Sequence, residues 1–106
     1  MFTAKEINVI ARTLAKMGNK MTLRLTSYGN VVVQHRKAEK VLFAFYKRED
    51  GYIIRRRLGY IIRRRLGYDN PFGSGNVLNG GKAIPTIKGT MTYFKNYCEK
   101  YPKSIV

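Results

Sequence analysis

The chain has 106 residues, enough for one small domain with a single modest core and too few for two. It carries 21 Lys and Arg against 6 Asp and Glu, a formal charge of +15, and 44% of its residues are hydrophobic. That apolar share excludes a disordered basic tail, and the charge selects polyanionic partners: DNA, RNA, an anionic membrane or an acidic protein surface.

Cys98 is the only cysteine, which excludes an internal disulfide and a cysteine-rich metal cluster. Residues 1–6 lack the apolar run of a signal peptide, and no apolar run approaches the length of a membrane span. A cytoplasmic protein with no cofactor and no membrane partner is expected.

Residues 3–17 predict a helix. Thr3 with Glu6 forms a capping box, and Phe2 with Ile7 forms a hydrophobic staple around it. Ile7, Ile10, Ala11, Leu14 and Met17 recur on one face, and Gly18-Asn19 is a fitting stop. A hairpin follows. Thr22 to Thr26 alternates, Tyr28-Gly29-Asn30 has turn chemistry, and Val31 to Arg36 is rich in β-branched residues. After a polar turn at 36–40, Val41 to Tyr46 is apolar on both faces and predicts the central strand.

Asp50-Gly51 is hairpin chemistry and folds Tyr52 to Arg57 back onto Phe43 to Glu49. One sheet face then collects Leu23, Leu25, Val31, Val33, Phe43, Phe45 and Ile54 as core. The other collects Arg24, Gln34, Arg36, Tyr46, Arg48, Arg55 and Arg57; a slip of one residue would swap every assignment.

The chain's most unusual stretch is Gly51 to Tyr68, in which the eight-residue unit Gly-Tyr-Ile-Ile-Arg-Arg-Arg-Leu occurs twice without a mismatch and opens into a third Gly-Tyr. Identity over both copies marks a recent or deliberate duplication, since two old copies would have diverged. Removing one copy takes away three arginines and leaves +12, so the basicity does not come from the repeat. A single strand through sixteen residues would span roughly 53 Å, longer than the ~34 Å diameter of a domain this size. Copy one is therefore expected to be the strand, and copy two to leave the sheet as a loop or arm. Two identical copies also raise the hypothesis that either can fill the strand. Doubled amide resonances there would support it, and a single sharp set would dispose of it.

Residues 67–85 are rich in Gly and Asn and predict a flexible loop. Asn79-Gly-Gly-Lys82 within it fails as a phosphate-binding P-loop: the earlier glycine is one place out and Ala83 stands where Ser or Thr should. Pro85 and Thr86 open a closing helix to about Lys100, ended by Pro102. Ile87, Met91, Phe94, Cys98 and Tyr101 share a stripe, which makes Cys98 a small core residue. Tyr93 and Tyr97 lie beside it, as core or as a second stacking surface.

The whole reads as a single α+β domain over 1–106, with a helix, an antiparallel meander of about four strands, a Gly/Asn-rich loop and a helix. Its expected function is nonenzymatic binding of DNA or RNA by charge and stacking, with little base reading. Arg55, Arg56, Arg57, Arg63, Arg64 and Arg65 would hold phosphates, helped by Arg48, Arg36 and Lys82. Tyr52, Tyr60 and Tyr68 would stack on unpaired bases. The alternatives are an inhibitor or adaptor docking on an acidic protein surface, and a small ribonuclease using His35 with Arg36 and a tyrosine. A homodimer through an edge strand is a further expectation, and a membrane-surface role suits a strand poorly.

Overall fold

The structure, a computed structural model, describes residues 1–37, 40–57 and 77–105. The element order is α1 (Ala4–Lys16), β1 (Met21–Leu25), β2 (Val31–His35), β3 (Val41–Arg48), β4 (Gly51–Arg56), a short 3₁₀ turn at Asn79–Gly81, and α2 (Ile87–Lys100). The α+β meander read from the sequence is the fold.

Helix α1 starts where its cap dictates. Thr3 Oγ1 accepts from the Glu6 N–H at 3.2 Å, and Glu6 Oε1 accepts from the Thr3 N–H at 2.6 Å, satisfying two otherwise orphaned donors. At α2, Thr86 Oγ1 accepts from the Gly89 N–H at 3.0 Å.

The four strands form one antiparallel sheet in the order β1-β2-β3-β4. Phe45 stands opposite Ile54 and Tyr46 opposite Ile53, so the period of two sends alternate residues of β3 and β4 to opposite faces. A register shift between Val33 and Gln34 sets Val41 opposite Gln34. Leu42 there joins the core.

Both helices cover the same face. Ile10 and Leu14 of α1, with Met91, Phe94 and Cys98 of α2, join Val31, Val33, Phe43, Phe45 and Ile54 in one buried cluster. Phe94 sits edge-on to Phe43 at 4.8 Å and to Phe45 at 5.2 Å, favourable geometries for ring quadrupoles. Leu25, expected in the core, is half exposed. It shares the inward parity of Leu23, but it ends the edge strand, where burial depends on helix cover as well as parity.

Part of the stretch expected as a loop over 67–85 is ordered onto the sheet. Tyr52 and Ile84 exchange backbone hydrogen bonds at 2.8 and 2.9 Å, and the Leu78 N–H donates to the Ile54 carbonyl at 2.9 Å. These bonds satisfy the outer edge of β4 and leave β1 as the other edge, with no strand beyond it among the described residues. The approach is close enough to demand glycine. Gly51 has φ +142°, and a Cβ there would lie 2.3 Å from the Ile84 carbonyl oxygen.

Candidate nucleic-acid interface on the sheet face opposite α1 and α2

The sheet face away from the helices carries a small cluster of its own, buried Val32 and Ala44 with Val41 and Tyr46 packed against them. The strand period brings Arg24 of β1, Gln34 of β2, Tyr46 and Arg48 of β3, and Ile53 and Arg55 of β4 to this side. The Arg55 guanidinium carbon lies 5.2 Å from the centre of the Tyr46 ring, within cation–π range. Arg24 Nε donates to Gln34 Oε1 at 3.3 Å. None of the outward positions of the four strands is acidic. Val32, Ala44 and Ile53 are buried on this side, which leaves the half-buried Tyr46 ring with guanidinium groups around it, an arrangement that can hold phosphates and stack a ring.

The candidate residues fall into three groups. Arg55 lies on the sheet face opposite α1 and α2, and Arg48, exposed, stands next to the turn. Arg36 follows β2 and donates from Nε to the Asn19 carbonyl at 3.0 Å. Arg57 leaves the sheet just after β4, its N–H bonded to the Leu42 carbonyl at 2.9 Å.

Tyr52 and Arg56 go to the opposite side. Tyr52 is buried, and its hydroxyl donates to Glu6 Oε2, so it has no face to offer a base. Arg56 Nη1 donates to the Tyr97 hydroxyl at 2.9 Å. Lys82 is exposed beside the 3₁₀ turn, and α2 begins five residues later, which is not the loop-to-helix geometry of a phosphate cradle. Arg63, Arg64, Arg65, Tyr60 and Tyr68 lie outside the described residues. His35 ends β2 opposite Met21.

Glu6 is the buried acid among the described residues. Burial raises its pKa, but hydrogen bonds from the Thr3 N–H, the Tyr52 hydroxyl and Lys47 outweigh that and hold it at about 2. Lys47 Nζ lies 2.9 Å from Glu6 Oε1. Burial, with the neighbouring carboxylate, pushes Tyr52 up to about 12. This cluster ties α1 to β3 and β4 and is structural.

No protein-family model, curated protein or solved structure matches this chain. The interface therefore rests on its own geometry. Tyr46, Arg24 and Gln34 stand on this face, as the strand period predicts from the sequence. No helix among the described residues is long and apolar enough to cross a membrane.

Proposed function

We propose that this protein binds nucleic acid on the sheet face opposite α1 and α2, by phosphate contacts from arginine and stacking on Tyr46. The observation that carries the reading is the Arg55–Tyr46 pair at 5.2 Å, on a face whose other charged strand residues, Arg24 and Arg48, are both cations. An arginine already held over a ring costs little further entropy when a phosphate or base arrives. The formal charge of +15 supports the same class of partner through counterion release.

The test is direct titration of labelled single-stranded and duplex DNA and RNA at two salt concentrations, with no other protein present. Salt-sensitive binding, lost by about 1–3 kcal/mol in Tyr46→Ala for a single strand, is the expected result. Arg55→Ala should also lower the salt slope by about one. Absence of binding at low salt would transfer the basic face to an acidic protein partner.

A further inference from the structure

Helix α2 carries a second aromatic surface on the side of the molecule that Arg56 reaches. Tyr93, Asn96, Tyr97, Lys100 and Tyr101 occupy positions i, i+3, i+4, i+7 and i+8, one continuous stripe. They line a cavity of about 300 Å³, at the small end of ligand sites. Its walls are held in place. The Tyr93 hydroxyl accepts from the Asn79 N–H at 3.0 Å, and the Tyr97 hydroxyl accepts from Arg56 Nη1 at 2.9 Å. Tyr97 also stands edge-on to Phe43 at 6.1 Å.

Two features make this more than the outer rim of the core. Tyr101 follows the helix with 47% of its surface exposed, although a tyrosine this close to a core could have been buried. It lies 4.9 Å from Tyr97 at an interplanar angle of 46°, so the two rings form an open wedge instead of a closed stack. Cations flank the wedge on both sides, Lys100 with Nζ 5.5 Å from the Tyr101 ring and Arg56 at the Tyr97 hydroxyl. The exposed Asn96 amide supplies two donors and an acceptor, the complement of a base edge.

We propose that this cavity is a binding site for one unpaired nucleobase with its phosphate, stacked on Tyr101, met at its edge by Asn96, with the phosphate beside Lys100 or Arg56. The site is separate from the sheet face opposite α1 and α2 and does not depend on it. Because β4 alternates, neighbouring Arg55 and Arg56 serve opposite faces, so a single strand following the edge of β4 could engage both.

The test is NMR of the tyrosine ring and Asn96 side-chain resonances during titration with adenosine 5′-monophosphate, ribose 5-phosphate and an adenine tetranucleotide. Adenosine monophosphate or the tetranucleotide should shift Tyr97, Tyr101 and Asn96, and ribose 5-phosphate should leave the rings unmoved. Shifts with both base-containing probes identify a site open to free nucleotides; shifts with the tetranucleotide alone identify a subsite for a polymer. Tyr101→Leu should weaken the productive probe by about 5- to 150-fold, and Tyr101→Phe should retain it. Arg55→Ala and Tyr46→Ala should leave the ring shifts in place, which separates failure here from failure on the sheet face. Equal ring shifts with ribose 5-phosphate, no shifts with any probe, or unchanged affinity in Tyr101→Leu would overturn the proposal.

Discussion

At the scale of residues, Glu6 shows how one side chain can serve two purposes. It closes the capping box of α1 and accepts from Tyr52 and Lys47 across the core. Removing it would lose the bond from the Thr3 N–H that completes the capping box, about 1 kcal/mol, and leave the Tyr52 hydroxyl buried without its acceptor, a further 1–3 kcal/mol or so. Glu6→Ala should therefore lower unfolding stability by about 2–4 kcal/mol, measurable by urea titration at pH 7. The pH dependence has a definite sign. The folded pKa of about 2 lies below the ordinary 4.5, so the carboxylate's stabilisation is full above about pH 5 and drains as pH falls toward 2. Its size is of order 3 kcal/mol, and Glu6→Gln should flatten that limb of the stability curve. Tyr52 acts in the other direction: with its pKa raised from 10.0 to about 12, its contribution is complete below pH 10 and is lost as pH rises through 12. Cys98 is simpler. Burial pushes its thiol up to about 11 against a lowering hydrogen bond from Ser104. A thiol-specific reagent at neutral pH should therefore label it orders of magnitude more slowly in the folded protein than in urea.

At the scale of elements, the β3–β4 hairpin depends on one glycine. The segment containing Ile84 lies so close to the strand that a Cβ on Gly51 would sit 2.3 Å from its carbonyl oxygen. Gly51→Ala must push Ile84 away and strain the backbone at positive φ, which alone costs about 1–3 kcal/mol. Hydrogen exchange should then speed up at the Ile84 and Tyr52 amides first, because they bond across that gap; unchanged exchange would show that the edge adjusts freely. The hairpin also shows what could be read without coordinates. Phe43, Phe45 and Ile54 fix the facing of both strands by period alone, so the helix side and the Tyr46–Arg55 side were both legible. Tyr52 and Arg56 have the parity of Ile54 and go with it to the helix side, so the period of two already parts them from Arg55. The return of 77–84 to the edge of β4 was not legible, because Asn79-Gly-Gly and its neighbours carry no periodicity and edge pairing is made by backbone alone. The wedge at Tyr97 and Tyr101 was half legible. Helical spacing put the tyrosines together, but whether such a stripe closes over the core or stays open is decided by packing at the end of α2.

At the scale of the whole molecule, the duplication can be removed without altering the junctions on either side. Deleting residues 59–66 joins Leu58 to Gly67-Tyr68, the same neighbours that Leu66 has in the full chain. Copy one supplies β4, which pairs with β3 and is tied to Glu6 and Tyr97. The fold should persist. Arg55 pairs with Val77 across the sheet edge, so the nineteen residues 58–76 leave and return at nearly one place, and the deletion shortens that closure to eleven. Chain-closure entropy alone, (3/2)RT ln(19/11), would then contribute about 0.5 kcal/mol of stabilisation, a small rise in the urea midpoint. Binding should move the opposite way. Copy two holds Arg63, Arg64 and Arg65, and if all three meet phosphates of a duplex, the slope of log affinity against log salt flattens by up to about three. A variant that is as stable as the full chain, binds more weakly and has a shallower slope would assign the second copy to affinity. An unchanged slope would show that its arginines make no net phosphate contacts, and would leave binding to the cations that the described fold itself presents.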